Sequence, residues 1–172
     1  MKRVLGVLLA LLCVAGAMSL FACSSDKDSG KTVDLSGLVN GFVSSYSLTG
    51  GKVYEKNSAP LDEMQIFDLY YKDGKAADFS KVEEYVVYLD TSDNASDTEI
   101  GVFRLAKDAD TTEFLSYLRA RRDNLLAENE RYPFDTGALD EAKFGSVGQY
   151  VYYVILRGHS AETESAIKAA LK

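Results

Sequence analysis

Gln149-Tyr150-Val151-Tyr152-Tyr153-Val154-Ile155-Leu156-Arg157 decides the fold. The run is aromatic and β-branched and stays apolar on both alternating faces, which suits a central strand. Two runs upstream share its character. Residues 85–89 (YVVYL) and 99–106 (EIGVFRLA) are joined by a polar stretch at 90–98, so they read as an antiparallel pair with a long loop.

Helical spacing surrounds these strands. Leu35, Leu38, Val39, Phe42, Val43 and Tyr46 recur at i, i+3, i+4, i+7, i+8 and i+11, with Asp34 placed to cap them. Gly37 and Gly41 weaken that helix, so packing must hold it. Residues 60–71 read as a second helix, with Asn57 or Ser58 as cap, Pro60 in the first turn and Asp62 and Glu63 at the positive end of its dipole. Its second half, from Ile66, also reads as a strand, with helix the favoured reading. Asp110 with Glu113 opens a long helix whose apolar side is Phe114, Leu115, Leu118, Leu125 and Leu126 and whose limit is Pro133. Ser160 is placed to cap a last helix buried through Ala166, Ile167, Ala170 and Leu171. The expected order is α-α-β-β-α-β-α, an α+β two-layer sandwich with a small, mainly antiparallel three-stranded sheet.

The chain's start reads differently. Lys2 and Arg3 precede an apolar run, residues 4–12 (VLGVLLALL), in the basic-then-apolar order of an export signal. As a permanent span the segment is marginal, because crossing takes about 20 apolar residues. Leu20-Phe21-Ala22-Cys23 resembles the lipobox of bacterial lipoproteins, although Phe21 stands where a smaller residue is usual. The resemblance implies a diacylglycerol thioether on Cys23, cleavage after Ala22 and a fatty-acid (palmitate-type) anchor at the outer face of the cell membrane. Residues 1–22 are then the signal peptide, 23–32 a flexible tether free of apolar side chains after Cys23 until its end, and 33–172 a single globular domain.

Composition narrows the function. Lys2 and Arg3 are the charges ahead of Cys23, so 17 of the 19 basic residues face all 26 acidic ones after it, a net of −9. Nucleic-acid binding needs basic surface that displaces counterions, and an acidic domain lacks it. Cys13 falls in the signal and Cys23 carries the lipid, which leaves the domain no disulfide, thiolate metal site or cysteine nucleophile. One histidine, His159, does not make a zinc site within one chain.

Glu84-Tyr85-Val86-Val87-Tyr88, then Asp97-Thr98-Glu99-Ile100-Gly101-Val102-Phe103, then the charged helix and final strand resemble the bacterial lipoproteins of the domain of unknown function 4358 family. The resemblance implies a membrane-attached extracytoplasmic domain and carries no catalytic residues to transfer.

No cluster names a reaction. Asp90, Asp93, Asn94, Asp97 and Glu99 are oxygen ligands, but counting from Asp90 puts Ala95 at the sixth position and Gly101 at the twelfth, where a calcium loop needs glycine and an acid. They read as a solvated loop. Arg119, Arg121 and Arg122 point in different directions on a helix, so they converge on one anion only with help from elsewhere. Asp123 is placed to pair with Arg119 across one turn. His159 lacks assignable partners for nucleophilic catalysis. The excess of tyrosine is the sharper signal: Tyr85, Tyr88, Tyr150, Tyr152 and Tyr153 would line both sides of the sheet, and an uncovered side would be an aromatic platform for an envelope protein or glycan. The expected role is a non-enzymatic binding or envelope-interaction module without a cofactor; the alternative is a carboxylate-dependent hydrolase acting on cell-envelope material.

Overall fold

Asp34 closes the first turn of the opening helix, its carboxylate accepting from Gly37 N–H at 2.8 Å, as its place before the apolar stripe predicts. The computed structural model describes residues 32–90, 98–131 and 135–172. Its elements run α1 (Leu35–Ser45), β1 (Gly51–Glu55), α2 (Pro60–Phe67), β2 (Tyr71–Lys72), β3 (Lys75–Ala76), a 3-10 turn (Phe79–Lys81), β4 (Val82–Asp90), β5 (Glu99–Leu105), α3 (Thr111–Asn129), α4 (Gly137–Asp140), β6 (Lys143–Val147), β7 (Tyr150–Ile155) and α5 (Ser160–Ala170). Val33–Lys172 forms one compact unit. The signal, the cleavage point after Ala22, Cys23 and Pro133 lie outside the described residues.

The α+β class holds, with a larger sheet than expected. Five strands in the order β1-β4-β5-β7-β6 pair antiparallel throughout, and β2 and β3 form a separate hairpin. The expected three strands are β4, β5 and β7, the interior ones. The two edge strands escape the sequence reading because GKVYE and KFGSV carry too few apolar residues to show a period. The two-layer expectation is corrected as well. Leu35, Val39 and Phe42 of α1 and Ile167 of α5 pack on Val86, Tyr88, Ile100, Val102, Tyr152 and Val154. Ile66, Tyr70 and the buried side of α3 pack on Tyr85, Val87, Phe103, Val151, Tyr153 and Ile155, which point the other way. Helices cover both faces.

Local expectations divide. Residues 60–67 are helical with Pro60 in the first turn, but the cap position is Ala59 and the helix stops at Phe67, so Tyr71 is free to enter a strand. Asp110 caps α3 as read, accepting from the N–H groups of Thr112 and Glu113. Ser160 is not a cap. It is the first helical residue of α5, and its hydroxyl donates to Leu156 O while accepting from Leu156 N–H, each at 2.9 Å.

Glycine and tyrosine complement each other across the strands. Gly101 lies opposite Tyr153 and Gly145 opposite Tyr152. In each case a Cβ would overlap the tyrosine side chain, and the same holds for Gly51 beneath Tyr88. Each missing side chain makes the bed on which a phenol ring lies, so the ring stays flat enough for helices to pack above it.

This predicts opposite outcomes for two glycine substitutions. Gly101→Ala drives a methyl into the Tyr153 ring and destabilises by about 1–3 kcal/mol, whereas exposed Gly41 in α1 has open space and Gly41→Ala stabilises by about 0.5–1 kcal/mol. Urea midpoints at constant slope measure both.

Candidate functional site

Glu99, the first residue of β5, turns its carboxylate into the core face of the sheet. The residue is 4% exposed. From the middle of α3, Arg121 meets it with Nη2 2.6 Å and Nε 3.2 Å from Oε1. On the other oxygen, the Tyr153 hydroxyl donates at 2.9 Å. That uses the one hydrogen Tyr153 has, so Tyr70, 2.8 Å away, donates to the Tyr153 oxygen. The result is a directed chain from Tyr70 through Tyr153 to Glu99, closed by a two-nitrogen guanidinium contact.

Each partner's place follows from local sequence. Phe114, Leu118 and Leu125 are buried at i, i+4 and i+11 of α3, and Arg121 takes the i+7 position of that same stripe. Glu99 alternates with Gly101 and Phe103 on one face of β5, and the bare Gly101 lets Tyr153 lie down so that its hydroxyl reaches the carboxylate. Burial raises the pKa of Tyr153 well above its ordinary value, and the Glu99 charge adds to this; Tyr70 is raised by the same two causes. Burial alone would lower Arg121, but the charge and hydrogen bonds of Glu99 outweigh it and hold the guanidinium firmly protonated.

Above this hub lies a groove. Asp73 and Gly74 turn the β2–β3 hairpin with φ of 51° and 76°, the positive pair that a tight two-residue turn requires. The hairpin lies across α3: Asn124 donates to Tyr71 O at 3.2 Å and Lys72 Nζ to Ser116 Oγ at 3.4 Å. Between them is a groove of about 400 Å³ lined by Lys72, Asp73, Ser116, Arg119, Asp123 and Asn124. An adjoining depression of about 220 Å³ shares Lys72 and Ser116 and adds Lys75, Glu113 and Tyr117. Both walls are anchored to Glu99: the hairpin through Tyr70, two residues before Lys72, and the helix through Arg121, two residues after Arg119.

The residues singled out by sequence separate clearly. Tyr85, Tyr88, Tyr152 and Tyr153 are at most 1% exposed and Tyr150 is half-buried, so the sheet offers no aromatic platform. Helices on both faces are the reason. Their hydroxyls turn inward or to a helix, as Tyr152 does to Glu164 at 3.2 Å. Tyr85 differs: its buried hydroxyl has no hydrogen-bond partner among the described residues, and burial pushes its pKa up to about 12. The three arginines go to three different places, as their helix spacing implies. Arg121 goes inward, Arg122 takes Asp123 at 2.6 Å, and Arg119, the expected partner of Asp123, faces the groove. Of the oxygen ligands weighed for calcium, Asp93, Asn94 and Asp97 lie outside the described residues, and Glu99 is spent on Arg121. Among the described residues no group of three or more His, Cys, Asp or Glu side chains is placed to hold a metal. His159 is half-exposed, stacked on Tyr46 with centroids 4.6 Å apart and 3.6 Å from Glu162.

The hub is the part sequence reading missed. Its signal was present: a charged residue on each of two apolar periods, Arg121 in the stripe of α3 and Glu99 in that of β5.

Two outcomes follow. Glu99→Ala strands a buried guanidinium and costs about 3–5 kcal/mol in urea unfolding, whereas Tyr85→Phe removes an unpaired hydroxyl and is neutral or stabilising by up to about 1 kcal/mol. Because Tyr70 and Tyr153 have folded-state pKa values above the unfolded ones, the stability they lend is full below about pH 10 and falls as pH rises, by about 1.4 kcal/mol per pH unit for each tyrosine. Unfolding midpoints between pH 8 and 11 show this limb, and Tyr70→Phe makes it shallower. Compared with protein-family models, with curated proteins and with solved structures, the chain matches none of them.

Proposed function

We propose that this chain is a lipid-anchored extracytoplasmic module that binds a component of the cell envelope, held at the outer face of the membrane by lipid on Cys23. One observation carries the reading: Leu20-Phe21-Ala22-Cys23 follows a basic and then apolar start and precedes a polar stretch that ends where the compact unit begins, at Val33. Two acyl chains at Cys23 give lasting attachment where one would not. The likeness of Glu84–Tyr88 and of the segment from Asp97 to Phe103 to the domain of unknown function 4358 lipoproteins belongs to the same proposal.

Binding is favoured over carboxylate-dependent hydrolysis by the state of Glu99. A general acid and base need two carboxyl groups in one pocket with separated pKa values. Glu99, the buried carboxylate among the described residues, is bonded to a guanidinium and a phenol and faces no second carboxyl group. The groove that is open to solvent is lined by lysine, arginine, serine and amide side chains as much as by acids.

The test is metabolic labelling with an alkyne fatty acid in bacteria expressing the whole chain. The wild type takes up label and sediments with membranes, and its mature product begins at Cys23 by mass spectrometry. Cys23→Ala loses both label and cleavage. A wild-type product with a free Cys23 thiol and its amino-terminal Met1 intact would refute the anchor.

A further inference from the structure

We infer that the groove between α3 and the β2–β3 hairpin is a binding site for a polyol phosphate, that is, a phosphate group carried beside free hydroxyls. The inference rests on the binding-module reading and names its ligand class. Of the 15 lysines and arginines among the described residues, seven pair with a carboxylate: Lys52, Lys81, Arg104, Arg121, Arg122, Arg157 and Lys168. Lys72, Lys75 and Arg119 line the groove and its adjoining depression with no carboxylate in ion-pair contact among the described residues. Two come from the hairpin and one from the helix. This is the help from elsewhere that a single helical arginine needs to close on an anion.

The remaining groups refine the ligand. Ser116 offers a hydroxyl, and Asn124 keeps one amide hydrogen after bonding Tyr71 O. Asp123 is neutralised by Arg122 through bonds of 2.6 and 2.9 Å. Asp73 and Glu113 add carboxyl oxygens, which disfavour a bare polyanion but accept hydrogen bonds from hydroxyls. Cations for one phosphate together with acids for neighbouring hydroxyls describe a glycerol- or sugar-phosphate unit better than either part alone. Both walls are tied to Glu99, so the backbone that carries the donors is set in place before the ligand arrives. The groove is shallow and the domain's net charge negative, so affinity is weak, with Kd on the order of millimolar, and falls with salt.

The chain from Ser24 onward retains every core residue of the Val33–Lys172 unit and suits the test. Its backbone amide resonances are followed by NMR during titration with glycerol 3-phosphate, inorganic phosphate and glycerol, and its capture on phosphatidylglycerol vesicles is measured in parallel. Expected are saturable shifts at Lys72, Ser116 and Arg119 with glycerol 3-phosphate, at least about fivefold weaker with phosphate, and none with glycerol. The pair K72Q and R119Q weakens binding at least about tenfold while distant resonances stay in place. Binding to vesicles but not to the soluble compound, lost in the same pair, supports the site and puts the phosphate on a lipid headgroup. No saturable response to either, or one that survives K72Q and R119Q, overturns it. Neither outcome touches the anchor, which the piece from Ser24 onward lacks and lipid labelling tests separately.

Discussion

The contact between Glu99 and Arg121 ties the first residue of β5 to the middle of α3, and the arrangement of one side of the domain follows from it. A buried ion pair adds little net stability over a well-packed apolar pair, because desolvating two charges offsets most of their attraction. Its effect is on alternatives. Sliding α3 by one turn, about 5.4 Å along its axis, would leave a guanidinium and a carboxylate buried without partners. Hydrophobic packing is tolerant of such shifts; charge is not. The pair therefore sets the register of the helix on the sheet, and Tyr153 and Tyr70 extend that register to β7 and to the chain entering the hairpin.

Legibility in the sequence tracks how strongly a residue pattern is periodic. The stripes of α1 and α3, the caps at Asp34 and Asp110 and the three interior strands were plain, since each rests on several residues repeating one signal. Edge strands β1 and β6 escape pattern reading because each sends a single apolar side chain to either core, Tyr54 and Val53 from β1 and Phe144 and Val147 from β6, and glycine takes a further position in each, which is too little to show a period. The layer count failed for a related reason. An interior strand apolar on both faces implies two covers, as Val151 and Tyr152 illustrate by facing opposite cores, but tyrosine is amphipathic and its presence alone does not distinguish a covered face from a half-exposed one.

The candidate site was legible only in pieces. Arg119, Arg121 and Arg122 stand as a run in the sequence, and helix geometry separates them by about 100° per residue. Their destinations depend on neighbours far along the chain: Glu99, Phe144 beneath the Arg122 guanidinium, and Lys72 across the groove. No local rule supplies these. A hairpin of two-residue strands lies below what pattern reading resolves, so one whole wall of the groove was missing from view.

A sheet covered on both faces has a consequence for where function resides. Its interior is occupied by its own side chains, with Tyr88, Tyr152 and Tyr153 filling the space left by Gly51, Gly145 and Gly101, so nothing between strands is available to a ligand. Recognition is pushed to the margins, to hairpins and helix faces that are exposed but would ordinarily be too loosely held to bind selectively. The buried hub answers that difficulty for the β2–β3 hairpin. Although Tyr71 and Lys72 are exposed, the residue just before them, Tyr70, is fully buried and bonded into the chain that ends at Glu99. A surface element thus inherits the rigidity of the core through one phenol, and a groove built on it has fixed walls despite lying on the outside of the domain.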